Sequence, residues 1–301
     1  MSTICEQQEI LFHKTSMLKS CIIVVVQSRL RIVELHALFN EEVEWVSYKT
    51  EIQDSIAVFT IDHPPTNSIN TELLKGLEKI IDRVNAEEEL KGLVLTGTGR
   101  IFSSGFDLVT FTTFESPEHI IQWFKDDEEI MYKLFTCSKP VVAALNGHAS
   151  AAGLIVTQAC DYRMMVNDPN AKVGMPEIKL GMSLSPCHSE IMRFGLETHR
   201  NWNELIYQGK RIPAPVALEM GIIDELVDET ELLEKAKAKV REYIDTPNRP
   251  FMEIKAGYRK FAAKQIREAI DTCDFTPFVN TFTNPEVIKQ LKASLARMQG
   301  K

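Results

Sequence analysis

None of the six cysteines forms a Cys-X-X-Cys pair, no apolar run is long enough to cross a bilayer, and no glycine signature for a nucleotide is complete. Each absence removes a class of function. Cys5, Cys21, Cys137, Cys160, Cys187 and Cys273 are scattered through apolar or mixed segments, so the sequence points to free, mostly buried thiols in a reducing compartment. The apolar stretch at 21–26 falls far short of the ~20 residues of a membrane-spanning helix, and no transmembrane segment is expected. Glu6 and Glu9 precede that stretch and no small-residue cleavage pattern follows it, which argues against a secretory signal. Gly97-Thr98-Gly99 meets neither the dinucleotide nor the phosphate-loop pattern. With 34 Lys and Arg against 42 Asp and Glu, the net charge of −8 disfavours a nucleic-acid partner and leaves room only for a local basic patch. The final residues Met298-Gln299-Gly300-Lys301 do not match the common peroxisomal tripeptide.

What is present is the composition of an ordinary folded protein, 301 residues with 44% hydrophobic and 25% charged, enough for a substantial core. Residues 1–45 read as an amino-terminal extension to which no role is assigned; Lys14, Lys19, Arg29 and Arg31 fit a degraded organellar targeting segment, and the acidic residues weaken that fit. Order begins near Val46. A strand is expected from Val46–Lys49 toward Ile52, a second over Ile56–Ile61, and then, after His63-Pro64-Pro65, a helix with Leu73, Leu74, Leu77, Ile80, Ile81 and Val84 on its apolar face. Leu93–Thr96 reads as a buried strand. The order strand, helix, strand implies parallel α/β packing, because helix and sheet must cover each other's apolar faces. A helix is expected over 117–135, with the acidic run Asp126–Glu129 as a solvated face rather than a metal site, since adjacent helical residues point in different directions.

Two small-residue turns each follow a strand. Phe102–Leu108 contains Gly105, which can adopt dihedrals closed to other residues, and Phe106, whose amide sits beside an apolar ring; the same segment also fits a plain strand-to-helix loop in which Phe106 fills the core. In the second, Asn146-Gly147 breaks an apolar run and Ala151, Ala152 and Gly153 precede the periodic segment Leu154–Ala159. Exposed amides at a helix start favour a negatively charged oxygen. Tight helix packing also uses small residues. Glu177, after Met175-Pro176, is an isolated carboxylate suited to acid/base work or, alternatively, a helix-start acid.

The segments HPPTNSIN at 63–70, IFSSGFDL at 101–108, ALNGHASAAG at 144–153, CDYRMM at 160–165 and VGMPEIKLG at 173–181 resemble the crotonase, or enoyl-CoA hydratase/isomerase, superfamily over residues 46–301. With PFVNTFTNPEVIKQLKASLARM at 277–298, the chain looks nearest to mitochondrial-type enoyl-CoA delta isomerases. The resemblance implies an α/β crotonase-like fold of repeated ββα units: a core over 46–245 and a carboxy-terminal helical region over 246–301 that serves assembly and completes the pocket. It implies an acyl-CoA thioester as ligand, coenzyme A as part of the substrate rather than a prosthetic group, no metal, a homo-oligomer of trimeric form, and the mitochondrial matrix as compartment, with cytoplasm or peroxisome as alternatives.

Matched residue by residue, the resemblance assigns the oxyanion-binding amides to Phe106 and Ala152, the catalytic carboxylate to Glu177, and substrate contacts to Phe106, Gly153, Phe278 and Arg297. It departs from a hydratase at Ile155, where that activity has a second glutamate. Water addition benefits from two acid/base groups, whereas a double-bond shift needs one that reaches two carbons. The implied reaction is therefore conversion of a 3-enoyl-CoA to a trans-2-enoyl-CoA; a hydratase, another acyl-CoA-processing crotonase or a non-catalytic acyl-CoA-binding protein are the alternatives. His148 reads as a histidine of the turn or of the pocket wall, and His188 and Glu190 as a second acid/base function if their loop turns inward. Ser185 stands where related isomerases can carry a carboxylate, and Cys187 has no neighbour that favours a thiolate.

Overall fold

The computed structural model describes residues 46–298. Residues 1–45, with Cys5, Cys21, the 21–26 apolar stretch and the targeting-like basic residues, lie outside the described residues, as do 299–301. The described residues form one compact unit.

An antiparallel pair opens it, β1 (Tyr48–Gln53) and β2 (Ile56–Ile61), followed by helix α1 (Thr71–Ala86). Asn70 caps α1 by accepting from the Leu73 amide at 2.8 Å, and all six expected apolar positions of its face are buried. The chain then repeats one unit. In each repeat the first strand joins a large sheet, the second joins a small one, and a helix starts where the second ends. The units are β3 (Gly92–Gly97), β4 (Ile101–Ser103) and α2 (Leu108–Thr112); β5 (Val141–Leu145), β6 (His148–Ser150) and α4 (Ala152–Ala159); and β7 (Tyr162–Val166), β8 (Lys172–Gly174) and the 3₁₀ turn Glu177–Leu180. Between the first two lies α3 (Pro117–Phe135), capped by Ser116 and started by Pro117.

With β9 (Arg211–Pro213) and β10 (Glu225–Val227), the sheets run β1-β2-β3-β5-β7-β10 and β4-β6-β8-β9. Neighbours β4, β6 and β8 are parallel, so the loops that follow them emerge side by side at one edge. The large sheet is parallel beyond β2, and its central strand β5 is fully buried, as an apolar run with no alternation requires. Helices α5 (Pro186–Leu196), α6 (His199–Trp202) and α7 (Ala214–Glu219) surround the third repeat. Helices α8 (Leu232–Ile244), α9 (Phe251–Asp271), α10 (Thr276–Thr283) and α11 (Pro285–Met298) form the carboxy-terminal helical region. No described helix is long and apolar enough to cross a membrane.

The acidic run on α3 splits the expectation of a solvated face, with Asp126 and Glu129 exposed as expected. Asp127 and Glu128 are fully buried. Asp127 lies seven residues after Ile120 and four after Trp123, which places it on the stripe that Ile120, Trp123, Ile130 and Leu134 turn toward the core.

Candidate active site

The three strand-to-helix junctions of the small sheet converge on one cavity. Two of them interlock so tightly that side chains are excluded. Gly105 has φ +100°, and a Cβ built on it would lie 2.5 Å from the Ala151 Cβ and 3.2 Å from the Ala152 nitrogen. A Cβ on Gly153 would meet Ser103 at 2.7 Å. Ala151 itself sits at φ 54°, ψ −132°, a conformation costly for a residue with a side chain and one that turns the next amide away from the strand.

The amides around these turns are spoken for, with two informative exceptions. Ser104 donates to the Thr66 carbonyl, Gly105 to the Ser103 hydroxyl, Asp107 to the Ile69 carbonyl and Ala151 to the Gly174 carbonyl. The amides of Phe106 and Ala152 have no acceptor among the described residues. They are the pair to which the family resemblance assigned the oxyanion-binding amides. Their surroundings are braced by the two asparagines of the quoted motifs: Asn67 Nδ2 donates to the carbonyls of Thr98 and Ile101, while Asn146 accepts from the Gly97 amide and donates to the Gly99 carbonyl.

The third junction delivers Glu177. This residue is half-buried, yet its Oε2 is fully buried and without a partner among the described residues. Burial pushes the carboxyl up to about 7, against the opposing pull of its own backbone amide and of the nearby His188 charge. The cavity has a volume of about 530 Å³, and Glu177 is its only lining carboxylate among the described residues. Ile155, on the second turn of α4, forms part of the same wall. So do Phe106, Ala151, His148 and His188, while Arg211 and Arg297 contribute cations.

The remaining sequence-stated candidates sort by geometry. Arg297 reaches the cavity from α11, its guanidinium steadied by the Ala293 carbonyl and the Ser294 hydroxyl. Gly153 packs on Ser103 and does not line the cavity, so its part is to let α4 approach β4. The Phe278 ring is buried against Phe124, 4.8 Å between centroids, and also lies off the cavity wall of this chain. Glu190 turns to Arg193 at 3.4 Å and stays outside. Ser185 caps α5, accepting from the His188 amide at 3.3 Å. His148 accepts from the Lys172 amide at 3.0 Å, and burial with the Arg211 charge holds it below the usual histidine range. Burial beside Glu128 and Asp127 drives the Cys187 thiol well above its ordinary value, which leaves no thiolate for chemistry.

Sequence reasoning missed Arg211 and Asp127. Arg211 begins a short strand with no motif around it; Asp127 was legible in the helical period of α3. Among the described residues, no group of three or more His, Cys, Asp or Glu side chains is placed to hold a metal ion.

Residues 51–298 match the family model described as enoyl-CoA hydratase/isomerase. The mouse protein named mitochondrial enoyl-CoA delta isomerase 1 is 28% identical over 239 residues, 78% of this chain and 82% of its own. A Bacillus subtilis protein named a probable enoyl-CoA hydratase is 27% identical over 243 residues, 77% of this chain and 93% of its own. The crystal structure of human mitochondrial delta3-delta2-enoyl-CoA isomerase superposes with a TM-score of 0.77 at 25% identity, covering 84% of this chain and 98% of that one.

Proposed function

Because the chain belongs to the enoyl-CoA hydratase/isomerase family, we propose that it is an enoyl-CoA delta isomerase that converts a 3-enoyl-CoA of either geometry to the trans-2-enoyl-CoA. Relatives named as isomerase and as hydratase match about equally well, so the choice rests on the site. The observation that carries it is the pairing of one carboxylate with a buried, unpartnered oxygen, Glu177, with an apolar Ile155 on the wall where hydration needs a second acid/base group.

In this reading the thioester oxygen lies between the amides of Phe106 and Ala152. Glu177 takes a proton from the α carbon, and the C–H electron pair spreads through the C3=C4 bond and onto the thioester oxygen. The two amides stabilise that oxygen more as its negative charge grows than they do the neutral carbonyl. The dienolate then collapses: the γ carbon takes the proton back from Glu177, the C2=C3 bond forms, and the carboxylate is restored. Arg211 and Arg297 supply the positive charge that the phosphates of coenzyme A require. The proposal includes a trimeric assembly and, as its compartment, the mitochondrial matrix; the mouse and human relatives are named as mitochondrial.

Glu177→Gln in the full chain tests it, with 3-enoyl-CoA as substrate and conjugated-thioester absorbance as readout. The variant is expected to fold and bind, with isomerisation reduced roughly 10²–10⁴-fold. Wild-type rates should climb as pH passes about 7, because the base is active only when ionised. A folded Glu177→Gln protein with normal turnover would remove the single-glutamate mechanism. Wild-type hydration of trans-2-enoyl-CoA without isomerisation would replace the reading with a hydratase.

A further inference from the structure

Behind the cavity wall lies a buried pair that the isomerase mechanism leaves unused. His188, near the start of α5, lines the cavity and is 3% exposed. Its Nε2 stands 2.9 Å from Oδ2 of the fully buried Asp127 on α3. Asp127 has no other partner among the described residues. The imidazole ring also lies over the Phe106 ring at 5.8 Å between centroids, next to one of the two free amides.

We propose that His188, held as a cation by Asp127, is a positioning and electrostatic residue of this cavity that stabilises both the ionised Glu177 and the enolate formed at the Phe106 and Ala152 amides. The proposal rests on the site reading above and adds to it a second charge, of opposite sign to the base.

The charge assignment follows from the groups around the ring. A fully buried carboxylate is costly unless a cation compensates it, and His188 is the cationic side chain within reach of Asp127. Next to it on α3, burial raises the Glu128 carboxyl and favours its neutral form; its Oε1 accepts from the Cys187 amide at 3.1 Å. Glu129, also on α3, is neutralised by Arg267 of α9 at 2.7 Å, and Arg259 of the same helix is held by Asp161 at 3.0 Å. From α4, the uncharged Gln158 packs against Gly195 of α5. From the cavity side, Glu177 faces the ring as an anion, with His148, Arg211 and Arg297 on the same wall. Burial opposes the charged imidazole, and Asp127 first, with Glu177, outweighs it, so His188 stays protonated above the usual histidine range. Glu177 must lose its proton and His188 must keep one. The active form therefore occupies a window, with an acid limb set by Glu177 and an alkaline limb set by His188.

The pH dependence of kcat in the full-length enzyme, beside a histidine NMR titration assigned with His188→Gln, tests this. The alkaline limb should coincide with the His188 titration, Asp127→Asn should move it to lower pH, and His188→Gln should abolish it while lowering kcat about a hundredfold with KM little changed. A wild-type profile without an alkaline limb overturns the proposal, as does a folded Asp127→Asn protein whose limb has not moved. If Asp127→Asn does not fold, the wild-type comparison decides, and a limb that fails to match the His188 titration is fatal. Exchange of the α protons of butanoyl-CoA in deuterium oxide separates this inference from the isomerase reading, since it needs an enolate but no double bond. Exchange with a His188-dependent limb but no isomerisation keeps the inference and removes that reading; isomerisation without the limb does the reverse.

Discussion

Gly105 shows how little freedom the proposed oxyanion site has at the level of one residue. Its positive φ and the 2.5 Å approach of the Ala151 Cβ leave no place for a methyl group. Gly105→Ala should cost about 1–3 kcal/mol of stability by strain, and its larger effect should be on turnover, about a hundredfold, because relief requires the Phe106 or Ala152 amide to move. Thermal unfolding and isomerase assays on the same preparation check both numbers; unchanged kcat would mean the amides keep their aim. At this scale the sequence was legible where a turn needs a distinctive residue: Gly105 sits in the tight turn it marked, and Phe106 and Glu177 reach the cavity wall. It was less legible where a residue serves through the fold: Asp127 sits in a string of acids whose composition suggests solvent, and only its seven-residue spacing from Ile120 places it inside.

Among elements, those with local signals stand where expected. Asn70 starts α1 and Ser116-Pro117 starts α3 through their own side chains and ring geometry, which is information the sequence carries within a few residues. The pairing of β4, β6 and β8 is different, because strands of three residues have almost no period to read. Helix α11 joins both kinds of information. Its Val287 and Leu291 are buried, while Ser294, Arg297 and Met298 line the cavity. Ending the chain after Asn284 should therefore lower stability by about 1.5–3 kcal/mol for each buried apolar side chain lost and raise KM for acyl-CoA. Calorimetry and steady-state kinetics on the truncated chain read the two effects, and an unchanged KM would take α11 out of the binding site.

For the molecule as a whole, α9 divides its two faces between different tasks. Inward, Lys255 and Arg259 share the buried Asp161 at 2.6 and 3.0 Å, and Arg259 also donates to the carbonyls of Phe135 and Ala159. These bonds fasten the helix across α3, α4 and β7 far from any sequence motif, which is why spacing alone did not reveal them. Outward, Ile254, Tyr258 and Phe261 are 68%, 73% and 77% exposed at helical spacing, an apolar stripe that suits a second copy of the chain. Sedimentation of the full chain should give the mass of the proposed trimer, and Tyr258→Asp with Phe261→Asp should shift it toward monomer. A wild-type protein that stays monomeric at micromolar concentration would contradict this. The convergence of three junctions described above has a further consequence, for the order of events during folding. In the proposed site, the oxyanion amides, the base and the mouth cations come from positions 106, 152, 177, 211 and 297, so the closure of loops across most of the described chain would precede any activity. Catalysis is thus the property that returns last when the chain refolds, and it reports completion of the fold in a way that helix content, established locally, does not.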